Sequence, residues 1–166
     1  MSKVLLVIAP EGYQDKELAD TKTALEQSGH TSVITSTTQE AHGKLGGKTG
    51  VDVIASDVNP GDYDATVFIG GPGSIGLADD ATVQDIAKNF YNAGKVVAAI
   101  CAAPLLLAKI GILQGKKATC DPSQNESLKQ SGAALTNKPV EVDGKIITGN
   151  GPEASYEFGK TIAQNL

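Results

Sequence analysis

The chain has 166 residues, 40% of them hydrophobic and 20% charged, a make-up that suits one globular domain with a buried core of its own. A formal net charge of -5 argues against a broad nucleic-acid-binding surface, which needs a basic stripe to displace counterions from phosphate. All 14 basic residues are lysines, so no guanidinium fork is available and strong anion recognition is expected to use backbone amides.

The apolar run at residues 3–9 predicts a first strand, and Pro10 with Glu11 interrupts it far short of signal-peptide or membrane-spanning length, so a cytoplasmic protein without a membrane partner is expected. A helix follows through Leu18, Ala19, Thr23, Leu25 and Glu26, with Asp15 as its cap or first-turn acid and Gly29 at its end. Residues 31–37 are β-branched and predict a second strand. Residues 39–50 are rich in Gly and Lys and predict a loop or peripheral hairpin without chemistry of its own; a short strand over 51–55 and a turn over 59–62 come next. The run 65–69 predicts a buried strand that passes directly into Gly70-Gly71-Pro72-Gly73.

A helix is expected from about residue 82 to 93, closed by Gly94, and then a fully apolar strand over 96–100 with Cys101 as its last residue. A helix begins immediately at 102–108, with Pro104 in the first turn, where a missing amide costs nothing. Beyond Gly115 the pattern predicts a strand over 117–120, a helix over 126–130, a hairpin across Asp143-Gly144 and a closing helix from about 153 to 164. Strands alternating with helical crossovers from end to end indicate an α/β fold with a mostly parallel sheet covered on both faces, as a single domain over 1–166.

Cys101 stands out because a strand-to-helix elbow lifts one side chain above the carboxyl edge of the sheet, with the helix N-terminus favouring a thiolate. Small residues are needed two places either side, and Ala99 and Ala103 supply them. The competing reading is one more small core hydrophobe in an apolar run. Glu17 follows the first strand and so reaches the same sheet edge, although a first-turn acid among Asp15, Lys16 and Asp20 also reads as a solvated residue. Gly70 and Gly71 could offer amides to an oxyanion, or could merely end a strand. Cys101 and Cys120 are expected as free thiols, His30 and His42 as surface residues, and no cysteine or histidine pair has metal-ligand spacing.

The run Val97-Ala98-Ala99-Ile100-Cys101-Ala102-Ala103-Pro104 resembles the cysteine elbow of the ThiJ/PfpI family, part of the class I glutamine-amidotransferase-like group. Asp15-Lys16-Glu17-Leu18, Gly70-Gly71, and Thr148-Gly149-Asn150-Gly151-Pro152 leading to Ser155-Tyr156-Glu157-Phe158 agree in order and spacing, so the resemblance spans essentially the whole chain. It implies a flavodoxin-like three-layer sandwich, a homodimer or higher homo-oligomer, and a short form of the family. Cys101 is then the nucleophile, Glu17 a protonated acid hydrogen-bonded to its sulfur, and the amides of Gly71 and Ala102 an oxyanion site. Two departures stand out. Ala102 occupies the place of a histidine found directly after the cysteine in PfpI-type members, and Asp121, beside Cys120, occupies the place of another histidine before Pro122.

The function implied is a cofactor-independent, cysteine-dependent enzyme on small reactive carbonyls, of glyoxalase or deglycase type, converting methylglyoxal to lactate. The alternative is a redox-sensing or stress-protective protein acting through oxidation of Cys101. Hydrolysis or hydration of another small electrophile, and peptidase activity, rank below these, the last because the histidine is missing. Cys120 or Asp121 stands as a possible supporting group in place of that histidine.

Overall fold

The computed structural model describes residues 1–166. In chain order the elements are β1 (Lys3–Val7), β2 (Glu11–Tyr13), α1 (Asp15–Gln27), β3 (Thr31–Ser36), β4 (Glu40–Gly43), β5 (Lys48–Gly50), β6 (Val53–Ile54), β7 (Ala65–Phe68) and α2 (Gly73–Leu77). There follow α3 (Ala81–Asn92), β8 (Val96–Ile100), α4 (Pro104–Lys109), β9 (Lys117–Ala118), α5 (Asn125–Gln130), β10 (Ala134–Leu135), β11 (Val140–Asp143), β12 (Ile146–Gly149) and α6 (Ser155–Gln164). No helix is long and apolar enough to cross a membrane.

Seven strands form the main sheet in the order β11-β12-β8-β7-β1-β3-β6. All neighbours are parallel except the edge pair β11 and β12, which the Asp143-Gly144 turn joins as an antiparallel hairpin. The residues of β7 and β8 are buried throughout, because helices cover the sheet and leave neither face to water; this is why these strands read as unbroken apolar runs. The fold is the flavodoxin-like arrangement expected of the sequence: a mostly parallel mixed sheet with helices around it.

The order of connection matters for function. From β1 the chain turns one way to β3 and then crosses back to β7 on the other side, so the crevice at the carboxyl ends of β1 and β7 is the topological switch point. Glu17 follows β1, Gly70 and Gly71 follow β7, and Cys101 follows the adjacent β8.

Residues 39–50 take the hairpin form of the two alternatives expected there, and three short elements, β2, α2 and β10, have no counterpart in the expected pattern. The β4–β5 hairpin pairs with β2 in a separate three-stranded sheet. Glu11-Gly12-Tyr13 carries too few residues for its pattern to be read in advance. The glycine turn after β7 leads into α2, whose Gly73 and Gly76 are poor helix formers and hid it. The two-residue strand β10, beside β9, was likewise not legible.

Helices α1 and α6 pack directly on each other, and a glycine sets how closely. A Cβ at Gly159 would stand 2.8 Å from the Ala24 Cβ and 3.0 Å from the Thr21 carbonyl oxygen. The helix propensity gained by alanine, about 1 kcal/mol, is smaller than the cost of forcing two backbones apart. We expect Gly159→Ala to lose about 1–2 kcal/mol in urea unfolding. Gly76→Ala, where a Cβ meets nothing within 4 Å, should be neutral or mildly stabilising in the same measurement.

Candidate active site

Cys101 is not the last residue of β8 but the first of the turn beyond it, with φ of 65°. A non-glycine residue in this left-handed region is costly and persists only where its surroundings fix it. Here its N–H donates to the Gly149 carbonyl at 2.9 Å, and its own carbonyl accepts from the Asp121 N–H at 2.7 Å. The Ala103 N–H closes the turn onto the Ile100 carbonyl at 3.0 Å. Ala99 and Ala103 are buried beside it, as the crowding of such a turn requires.

Glu17 comes from the first turn of α1. Gln14 caps this helix: its side-chain oxygen accepts from the Lys16 and Glu17 amides at 2.7 and 3.2 Å. The Gln14 N–H donates to the Gly70 carbonyl at 2.8 Å, which fastens the helix start to the exit of β7. The Glu17 side chain is then fully buried rather than solvated, with Oε1 accepting the Gly70 N–H at 3.0 Å. Oε2 has no partner that meets hydrogen-bond geometry, and the Cys101 thiol is the neighbour that couples to the carboxyl. Gly70 must lack a side chain, because a Cβ there would stand 2.6 Å from both the Cys101 Cβ and Glu17 Oε1.

Burial pushes the Glu17 carboxyl up to about 7, against the pull of hydrogen bonding with Cys101 and the Gly70 amide. The Cys101 thiol is pushed up to about 12 by burial and then by the negative charges of Glu17 and Asp121, with the Gly71 amide opposing. This corrects the expectation of a thiolate stabilised by the helix start. The helix α4 is only six residues long, and the charges around the sulfur are carboxylates. Thiol and carboxyl therefore titrate as one unit that takes its first negative charge near pH 7, and protonating Glu17 removes one of the charges that, with burial, hold the thiol up.

A cleft of about 310 Å³ opens over the sulfur, lined among others by Gln14, Lys44, Gly71, Ala102, Asp121 and Ser123. No backbone or side-chain oxygen takes up the amides of Gly71 and Ala102; the Gly71 N–H is turned to the Cys101 sulfur, and both amides are placed to meet an oxyanion formed beside it. Gly70 does not share that role, since its N–H is committed to Glu17. Asp121 lies in the cleft, with its carboxylate accepting from the Ser123 N–H at 3.0 Å and from the Ser123 hydroxyl.

Cys120 is buried outside the cleft lining; its thiol donates to Asn125 Oδ1 at 3.4 Å and is pushed up to about 11 by burial and the charge of Asp121. No imidazole reaches the cleft. His30 accepts from the Ser2 amide, and His42 lies between Glu11 and Glu40 on the small sheet. Sequence reasoning missed Gln14, Lys44 and Ser123. Gln14 stands just before a recognisable helix start, but Lys44 sits in a loop that gave no chemical signal.

The Glu17 carboxyl makes stability depend on pH. Its folded value near 7 lies above the ordinary 4.5, so its contribution is fully present below pH 4.5 and is lost as pH rises through 7. We expect Glu17→Gln to gain on the wild type by on the order of 3 kcal/mol between pH 4.5 and 8, read from urea unfolding midpoints. Parallel stability curves for the two proteins would show that the carboxyl is solvated and ionised throughout.

Comparison with known proteins follows this geometry. The DJ-1/PfpI family model matches residues 2–165. An uncharacterised protein of Methanocaldococcus jannaschii is 43% identical over 99% of this chain and 82% of its own length. A protein of Thermococcus kodakarensis named as a deglycase is 31% identical, covering 98% of both chains. The crystal structure of a ThiJ/PfpI domain protein from Brachyspira murdochii superposes with a TM-score of 0.95 at 34% identity, over 98% of this chain and 94% of that one. With the match running from one end of the chain to the other and the elbow in place, this protein belongs to the DJ-1/PfpI family.

Proposed function

We propose that the chain is a cysteine-dependent enzyme acting on small reactive carbonyls, of glyoxalase or deglycase type, with methylglyoxal converted to lactate. The observation that supports this reading best is the pairing of Cys101 with a buried carboxyl whose proton affinity lies near neutrality. A group poised there can both give and take a proton at the working pH. The deglycase name of the Thermococcus relative points the same way.

In this mechanism the Cys101 proton passes to the Glu17 carboxylate as the sulfur adds to the aldehyde carbon of methylglyoxal. The Gly71 and Ala102 amides receive the developing oxyanion, and a proton from Glu17 completes the hemithioacetal. The Glu17 carboxylate then removes the hydrogen from that same carbon and passes it to the ketone oxygen, giving an enediol, after which it takes the proton of the hydroxyl on the sulfur-bearing carbon and delivers it to the neighbouring carbon. The product is a lactoyl thioester on Cys101. Water cleaves it, forming the C–O bond as the C–S bond breaks, and lactate and the free thiol result. One water is consumed per methylglyoxal, and no electrons are exchanged with any other species. A single carboxyl thus covers the steps for which an imidazole is absent.

The test is lactate formation from methylglyoxal followed by NMR, without glutathione or added metal. We expect turnover in the wild type and a loss of at least about 100-fold in both Cys101→Ser and Glu17→Gln. Absence of lactate in the wild type would overturn the carbonyl reading.

A second reading rests on the contrast between the two thiols: Cys101 opens to the cleft beside the amides of Gly71 and Ala102, whereas Cys120 is buried. Oxygen atoms added to the Cys101 sulfur by peroxide would meet those amides, which suits a redox-sensing or stress-protective role. Mild peroxide should then add oxygen to Cys101 with Cys120 unchanged, as read by peptide mass spectrometry. Equal oxidation of both would count against it.

A further inference from the structure

We propose that the cleft selects small carbonyl compounds that carry an anionic group, and that Lys44 recognises that group while Cys101 attacks the carbonyl. This deepens the carbonyl-enzyme reading and rests on it for the chemistry of the attacked group.

The argument begins with how Lys44 is placed. It lies in the turn between β4 and β5, which wraps around one carboxylate, that of Asp15. Oδ2 of Asp15 accepts the Leu45 N–H and Oδ1 accepts the Gly47 N–H, each at 2.8 Å. The Lys44 N–H itself donates to the Tyr13 carbonyl at 2.8 Å, and the Gly43 N–H closes the turn onto Gly47 at 2.8 Å. A side chain at either end of the turn would displace the Asp15 carboxylate. A Cβ at Gly43 would stand 2.1 Å from Asp15 Oδ1, and one at Gly47 2.3 Å from the same atom. The peripheral hairpin is thereby pinned to the residue that lies two places before Glu17. A solvated loop has no use for such a clamp, but a loop that must hold one side chain at the rim of the cleft does.

The charges around the cleft point to an anion. The Lys44 side chain lines the cleft with Cys101, and its charge is felt at Glu17. It makes no ion pair, whereas its hairpin neighbour Lys48 is paired with Glu40 at 3.4 Å. The anion across the cleft, Asp121, is already engaged by the N–H and hydroxyl of Ser123. The amides of Gly71 and Ala102 serve the carbonyl oxygen, so a second, negatively charged substituent on the substrate has Lys44 as its unpaired cation. A neutral dicarbonyl leaves that cation unused.

The test compares two alkylating reagents of nearly equal size, the anion iodoacetate and the neutral iodoacetamide, with modification at Cys101 followed by mass spectrometry. We expect Lys44→Gln to lower the ratio of iodoacetate to iodoacetamide rates by about threefold to tenfold at low ionic strength, and roughly 0.5 M salt to shrink the difference. Lys44→Arg should keep the wild-type ratio, and Lys48→Gln should leave it unchanged. An unchanged ratio in Lys44→Gln, or an equal fall in Lys48→Gln, would overturn the assignment. Because alkylation needs no carbonyl chemistry, the two readings fail separately: a wild type that makes no lactate but shows the Lys44-dependent ratio loses the carbonyl chemistry and keeps the anion preference.

Discussion

The interaction on which the site depends is the burial of one carboxyl group, that of Glu17, between the Gly70 amide and the Cys101 thiol. An ionised carboxylate taken out of water without a cation is expensive, so the group relieves the cost by holding its proton up to about pH 7. The same burial that weakens the acid raises the thiol, and the pair can carry one negative charge but not two. The reactivity of the cysteine is therefore a property of the pair.

That arrangement requires two glycines and a strained cysteine to meet at one place. Cys101 takes a left-handed conformation that its hydrogen bonds to Gly149 and Asp121 hold in place. Gly70 and Gly71 pass beneath it with no room for a side chain, and a Cβ on Gly71 would stand 2.4 Å from the Gly12 carbonyl oxygen. Strain of this kind is offset by the sheet behind it, where β8 lies between β7 and β12 with every residue buried. The fold supplies a rigid floor, and the switch point between β1 and β7 supplies the opening.

The first turn of α1 coordinates the parts. Gln14 caps the helix and ties it to Gly70, Asp15 holds the hairpin that carries Lys44, and Glu17 enters the core to meet the sulfur. Three residues within one turn thus serve as a cap, a clamp and an acid, and the cleft is built between α1, the two elbow segments and the β4–β5 turn. Neither histidine takes part, and Asp121 adds negative charge near the sulfur.

By itself the sequence determined the α/β architecture, the hairpin at Asp143-Gly144 and the elbow at Cys101, because these follow from local pattern: apolar runs, turn residues and small neighbours leave few alternatives. Glu17 was visible as a candidate, yet whether it was a solvated acid or a buried one rested on where β7 delivers Gly70, which is 53 residues away in the chain. The tertiary structure also committed the Gly70 amide to Glu17, and it brought Lys44 to the cleft from a loop that looked inert. Periodicity records which face of an element is buried, but the proton affinity of a carboxyl and the company of a lysine are set by groups that only the closed fold brings within a few ångströms.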